Sequence, residues 1–382
     1  NGNADGTFVY LGFKPAMIIV KSSTETRNWR LWDNKRSTYN LTDEVLYPDI
    51  TNAEAKGDSE IDRLFYINGA DIVFQIGTAK NGVRDIDGNL DDSKLVEIAA
   101  HPQVKMFEIK MSQGAKPGKG GILPGEKVTA EIAAIRGIAI GKDALSPNRH
   151  VDINSFDDLI NMVNHVRKVT GKPTGFKMVV GEPIQLDQLF SAICKRGLDW
   201  APDFITVDGA EGGTGAAPMA LIDSVGLSIR ESLPMVVDKL KQYGLRDRII
   251  VISAGKLITP AAVAWALCVG ADFITSARGF MFSLGCIQAL QCNKNTCPTG
   301  ITTHNPKFQR GLHPETKAIR VASYVGNLVK EVGIIAHSCG VNSPRALTRS
   351  HARIVMGDGN TKGMEELYPE PEIINEYAHS DE

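Results

Sequence analysis

The stretch Ile249-Ile250-Val251-Ile252-Ser253-Ala254-Gly255-Lys256, and after a gap Ala271-Asp272-Phe273-Ile274-Thr275-Ser276-Ala277-Arg278-Gly279, decides the fold. Each half is an apolar, β-branched run that stops in a turn of small and polar residues. Between them, residues 259–269 are apolar at helical length and open with Thr259-Pro260, a cap followed by proline in the first turn. Strand, helix, strand with nearly all-apolar strands means parallel strands covered on both faces.

Working outward, the same alternation runs back to about Asp71. Strands are expected at 71–75, 104–110, 176–180, 204–207, 249–253 and 271–275, and helices at 155–170, 184–196, 230–244 and 259–269. Ser155 with Asp158 forms a pair resembling a capping box. A closed (β/α)8 barrel needs eight strands, whereas an open doubly wound sheet could use the six counted. The last two turns favour the barrel, because phosphate-binding barrels hold their anion in the loops after the final two strands. Glycine lets backbone N–H groups approach an anion. Gly255 and Lys256 after one strand, and Ser276, Ala277 and Arg278 after the next, fit that role; ordinary βα turns are the other reading. The expected fold is therefore α/β, a (β/α)8 TIM-type barrel lacking its first strands.

Residues 1–65 read differently. Short β-like runs (Phe8-Val9-Tyr10, 16–20, 29–32) alternate with polar turns and show no helical period, so a small β-rich segment is expected there. The barrel is expected over 66–364, and 365–382 as a loose acidic tail.

Of 382 residues, 43% are hydrophobic and 23% charged, enough to bury one large core plus a smaller unit. The formal net charge of −2 gives no sign of a nucleic-acid or anionic-membrane partner. No apolar stretch is long enough to span a bilayer. No signal peptide is visible in a chain that opens with Asn1. Six cysteines are present, and Cys286, Cys292 and Cys297 fall within twelve residues, while Cys194, Cys268 and Cys339 are scattered. Clustering without a secretory signal favours ligation over disulfides, and a reducing, cytoplasmic compartment.

The spacing Gly285-Cys286-x5-Cys292-x4-Cys297-Pro298 suits an iron–sulfur cluster held in a loop. Three cysteines point to a three-iron cluster or to an outside fourth ligand. Zinc normally takes four ligands, with His304 as the missing one, and three unrelated buried cysteines is the plainest alternative. Asp208-Gly209-Ala210-Glu211-Gly212-Gly213-Thr214-Gly215-Ala216 places four glycines in a loop after a strand, built to lie against something flat or anionic; a structural hairpin-like loop is the alternative. Its spacing is not a dinucleotide fingerprint. In 110–121, Gln113 can hydrogen-bond a flavin edge, and Lys116 and Lys119 can pair with a substrate carboxylate; a solvated basic loop is the alternative. Lys177, on an apolar strand, would face the barrel mouth, where a flavin wants positive charge, or would snorkel at a strand end. His150 reads as structural.

Taken together, Phe74-Gln75-Ile76-Gly77-Thr78, the 108–121 loop, Leu145-Ser146-Pro147, the 208–218 loop, Gly255-Lys256, the cysteine block and Thr303-His304-Asn305-Pro306 resemble the FMN-binding synthase domain of glutamate synthase, especially its stand-alone relatives, over about 68–355. The resemblance implies an oxidoreductase in which FMN delivers a hydride to 2-iminoglutarate, formed from 2-oxoglutarate and ammonia, giving L-glutamate. A 3Fe-4S cluster would relay electrons from ferredoxin or an NAD(P)H-linked flavoprotein. It implies that Cys286, Cys292 and Cys297 ligate the cluster, and that Gln113, Lys177, Gly213, Thr214, Gly255, Lys256, Ser276 and Ala277 line FMN. Lys116 with Gln113 would hold the 2-oxoglutarate carboxylates. No glutamine amidotransferase region accompanies the barrel, so ammonia is expected from solution or a partner. The family's phosphate loop often reads Asp-Gly-Gly where this chain has Ser253-Ala254-Gly255, and its first barrel strands are not found before Asp71. Residues 1–65 resemble instead a repeat from phage tail or virion surface proteins, carried by 12–21, Asn28-Trp29, 32–36 and Leu46-Tyr47-Pro48. Two other functions stay open: a non-catalytic flavin-barrel fusion with an attachment role, and an FMN oxidoreductase acting on another 2-oxo acid or amine.

Overall fold

The computed structural model describes residues 71–212 and 215–374. The expected β-rich segment 1–65, Gly213, Thr214 and the end of the acidic tail lie outside the described residues.

Six strands form one sheet: β1 (Ile72–Ile76), β2 (Val104–Lys110), β3 (Thr174–Met178), β4 (Phe204–Asp208), β5 (Ile250–Ala254) and β6 (Phe273–Thr275). Every neighbouring pair is parallel, and the spatial order equals the chain order. A doubly wound sheet reverses its order at a switch point. This sheet does not reverse, so the winding is of the TIM type. The two outer strands, β1 and β6, do not pair with each other among the described residues.

The expected strands fall within two residues of those observed. The largest offset is β3, which begins at Thr174 because Asp203 Oδ2 accepts the Thr174 N–H at 2.8 Å. It ends at Met178 because the next donor, Val179 N–H, goes to Ser112 Oγ at 3.0 Å instead of to a neighbouring strand.

The helices are α1 (Asp92–Ala100), α2 (Ala130–Arg136), α3 (Phe156–Thr170), α4 (Pro183–Arg196), α5 (Ile229–Gln242), α6 (Pro260–Val269), α7 (Ala277–Ser283), α8 (Pro306–Gln309), α9 (Pro314–Ser338) and α10 (Met364–Leu367). Ser155 caps α3 by accepting the Asp158 N–H at 3.1 Å, but Asp158 returns its bond to Asn154, so only half of the box forms. Thr259 caps α6, with Pro260 at its first turn. α6 is buried from Val263 to Val269, as an all-apolar helix must be, because α9 covers its outer side. The chain after Glu365 is docked as far as Ile374: Lys241 Nζ donates to Glu370 Oε2 at 2.7 Å, and the Ile374 N–H donates to the Gln242 carbonyl at 2.8 Å. The expected loose tail is thus held against α5 over that length.

Between β2 and α3 the chain leaves the sheet. Ile122–Leu123 pairs antiparallel with Ala144–Leu145, and Val128, Ala133 and Ala144 form a small core of their own. We call residues 120–148 the flap.

The N-terminal ends of the strands are tied by ionic hydrogen bonds. Asp203 accepts from Arg167 Nε at 3.0 Å and Arg248 Nη2 at 2.9 Å as well as from Thr174. Hydrogen bonds to charged groups are worth ~1.5–3 kcal/mol each. Asp203→Ala is expected to lower the unfolding free energy by about 2–3 kcal/mol in chemical denaturation, with little change at the opposite end of the barrel.

Candidate active site

The C-terminal strand ends carry a polar cluster inside an otherwise apolar sheet. Register places Gln75 beside Glu108, Lys110 beside Lys177, and Lys177 beside Thr206. Glu108 is buried, and its carboxylate accepts from the Gln75 side-chain amide and from Thr206 Oγ1 at 2.5 Å. Lys177 Nζ lies 3.9 Å from the same carboxylate. Lys177 therefore does not snorkel to solvent; it faces the mouth.

Lys110 Nζ donates to Gln113 Oε1 at 3.0 Å. Burial, together with the like charges of Lys177 and Lys116, pulls its pKa from 10.5 down to about 8. Lys116 is thus close enough to act on Lys110, although among the described residues its own ammonium bonds the Gly120 carbonyl of its loop, at 3.4 Å. Burial, with Lys119 adding to it, lowers the Lys116 pKa as well. Three cations converge here.

Asp208 accepts the Gly114 N–H at 2.9 Å. Burial holds its carboxyl above the ordinary range, against the pull of Lys177, the Gly114 donor and Lys110. A side chain at Gly114 would come within 1.9 Å of the Gly209 carbonyl, so the loops after β2 and β4 touch backbone to backbone. His150 Nε2 sits 3.1 Å from the Lys110 carbonyl, which can only accept, so this nitrogen carries the proton. Burial pushes His150 toward the neutral form, and its role in holding that backbone is structural.

At the last two strands, Gly255 adopts φ +143° and packs against Gly209 and Ile229, a conformation only glycine enters freely. Lys256 pairs at the rim with Asp223, 3.3 Å away, rather than with the three converging lysines. Ser253 Oγ is buried with no partner among the described residues. Ser276 Oγ lies 3.4 Å from the Tyr324 hydroxyl, which donates to the Ile258 carbonyl at 2.8 Å. Ala277 opens α7 beside it.

Cys286, Cys292 and Cys297 follow α7 in one loop. Among the described residues no three His, Cys, Asp or Glu side chains are drawn in around a single metal ion. The thiols nonetheless sense one another: burial raises Cys292, and Cys297 and Cys286 raise it further. Burial also resists ionisation of Cys297, but hydrogen bonds from Thr299 and Thr302 outweigh it and bring the thiol to about 7. Lys127 of the flap is buried beside them and donates to the Cys292 carbonyl at 2.9 Å and to the Thr302 carbonyl. Thiolate-favouring donors and a buried cation fit an anionic, thiolate-ligated group. The loop also reaches the barrel mouth, since a side chain at Gly215 would lie 2.6 Å from Cys292 Sγ.

Sequence reasoning did not single out Glu108, Lys110, Thr206, Asp208 or Lys127 as site residues. A signal for the first four exists. Glu108 with Lys110, and Thr206 with Asp208, are two residues apart on strands, which puts each pair on one face.

These features define a TIM-type barrel with a cationic mouth and an adjoining cysteine loop. A family model described as a conserved region in glutamate synthase matches residues 51–342, and the chain belongs to that family. A second model, for a domain of unknown function, matches residues 1–82. The glutamate synthase large subunit-like protein YerD of Bacillus subtilis is 42% identical over 311 residues, covering 81% of this chain and 59% of that protein. The archaeal glutamate synthase [NADPH] of Methanocaldococcus jannaschii is 34% identical, with 81% and 58% covered. The chain thus spans a little under three-fifths of the length of these relatives.

The folded chain releases the Lys110 proton near pH 8, the unfolded chain near 10.5. Between those values the unfolded state holds more protons, so stability is expected to rise with pH across that window. Lysine side-chain NMR should show one titration near 8. In Lys177→Met it should move upward yet stay below 10.5, because burial is the larger cause.

Proposed function

We propose that this chain is an FMN- and iron–sulfur-dependent oxidoreductase of the glutamate synthase type, forming L-glutamate from 2-oxoglutarate and ammonia by way of 2-iminoglutarate. The observation that carries this reading is the close approach of the glycine-rich loop at Gly215 to Cys292. It brings a cysteine loop suited to electron transfer against a loop suited to a flavin. Membership of the glutamate synthase family supports the reaction type.

When bound, FMN supplies the hydride and the cluster supplies single electrons. The chain's own residues do the rest. Lys177 and Lys110 present positive charge to an electron-rich ring edge, and Gln113, oriented by Lys110, offers its amide N–H. Ser253, Gly255, Lys256, Ser276 and Ala277 with Gly213 and Thr214 hold the cofactor's phosphate and ring. Lys116 binds a 2-oxoglutarate carboxylate. Asp208, whose carboxyl is held above its ordinary range, can keep a proton next to the reacting atoms. Cys286, Cys292 and Cys297 ligate a 3Fe-4S cluster. Electrons come from ferredoxin or an NAD(P)H-linked flavoprotein, and a reducing cytoplasm keeps the thiols available. Among the described residues no helix is long and apolar enough to cross a membrane.

The test is anaerobic purification followed by absorption and electron paramagnetic resonance. Bound flavin and a three-iron signal, with glutamate made from 2-oxoglutarate and ammonia in preference to other oxo acids, are expected. A colourless folded protein overturns the reading. Lys177→Met is expected to reduce flavin affinity at least tenfold while iron is retained, and Cys292→Ser to lose iron while flavin is retained.

A further inference from the structure

Lys127 stands apart from the other lysines of the site. It is 3% exposed, yet among the described residues it makes no ion pair with a carboxylate. Its ammonium is held by two carbonyls of the cysteine loop, those of Cys292 and Thr302. Burial lowers the Lys127 pKa, and the acidic groups whose charge would favour its ammonium form are the thiols of Cys292 and Cys297. Asp143, a carboxylate of the same flap, accepts the Gly125 N–H at 2.7 Å. A buried charge without a counter-charge is costly, and structures avoid it unless something anionic shares the site. Two carbonyl dipoles satisfy the donors but leave the net charge in place.

We propose that Lys127 is the built-in counter-ion of the cysteine loop: a positioning residue whose fixed charge raises the reduction potential of the thiolate-ligated cluster bound there. This rests on the cluster assignment in the proposed function. Reduction adds one electron to the cluster, with no bond made or broken and the electron coming from the external donor. Each added negative charge is stabilised by a cation held at fixed distance in a low-dielectric setting. Lys127 is carried by the flap, whose short ladder and small core are independent of the cysteine loop. The flap therefore delivers the charge, and the loop receives it.

A purely structural role and a counter-ion role differ in what a substitution moves. The test is a potentiometric titration, followed by electron paramagnetic resonance, of the reconstituted full chain and three variants. Lys127→Arg keeps the charge, Lys127→Gln keeps donors without it, and Lys127→Met keeps the aliphatic stem alone. The oxidised-to-reduced ratio at a given potential is expected to rise at least tenfold in the Gln and Met variants, about 59 mV downward for a one-electron couple. Lys127→Arg should stay within a twofold change. If only the charged forms take up iron, the counter-ion role is supported more strongly. Unchanged potentials in Gln and Met, or equal loss of iron in all three variants, overturns it in favour of packing. A wild-type chain that takes up no iron removes the cluster assignment itself, an outcome distinct from either.

Discussion

One buried carboxylate orders the active end of this barrel. Glu108 sits on β2 and takes a hydrogen bond from β1 through Gln75 and another from β4 through Thr206, with Lys177 of β3 close by. Four adjacent strands thus converge on one side chain. Burying a carboxylate is tolerable only because its oxygens are so fully engaged. A one-residue slip of any strand would turn its polar residue out of the barrel and leave this charge unpaired. Register at the mouth is therefore fixed by chemistry as well as by apolar packing. The positions of Lys110, Lys177 and Asp208 follow from it.

The two ends of the sheet are built on opposite terms. At the N-terminal ends, Asp203 is matched to Arg167 and Arg248, so charge is neutralised locally. At the C-terminal ends, Lys110, Lys116 and Lys177 outnumber the two buried carboxyls, and Lys110 is forced toward its neutral form. The first end uses its charges to hold strands together, whereas the second leaves cationic character unmatched, in line with the division of a TIM-type barrel between a stabilising and a functional face.

Much of this is legible in the sequence, and the exceptions have physical reasons. Apolar runs ending in glycine or polar turns mark all six strands, and Thr259-Pro260 marks the start of α6. The 25-residue helix α9 carries no such mark. Gly326 and Gly333 interrupt its pattern, and its buried residues Ala318, Val325, Leu328 and Val332 gain most of their stability from the surfaces of α6 and α7 rather than from local propensity. The loose tail after Glu365 misled for a similar reason, since Glu370 and Ile374 are held by partners on α5 far away in the chain. Cysteine spacing exposed the loop at 286–297, but the Glu108 network depends on pairs such as Thr206 and Glu108, 98 residues apart. Single residues announce polarity; only register reveals which of them meet.

The same long-range pairing makes the site one mechanical unit. Gly114 and Gly209 touch backbone to backbone, which joins the loop bearing Gln113 to the loop bearing Gly215. Gly215 in turn abuts Cys292, and the Cys292 carbonyl receives Lys127 from the flap. The flap continues the first loop directly along the chain, and its base is closed by Gly120 donating to Asn148 Oδ1 at 3.0 Å and Ser146 donating to the Gly121 carbonyl at 2.8 Å. The contacts therefore form a closed circuit: mouth loop, glycine loop, cysteine loop, flap and mouth loop again. A displacement of any one member has to be taken up by the others, because two of the joints, Gly114 against Gly209 and Gly120 against Ser146, are backbone contacts too tight to admit a methyl group. The cysteine loop and the loop bearing Lys116 are then not mechanically separable, since both belong to the same ring of loops.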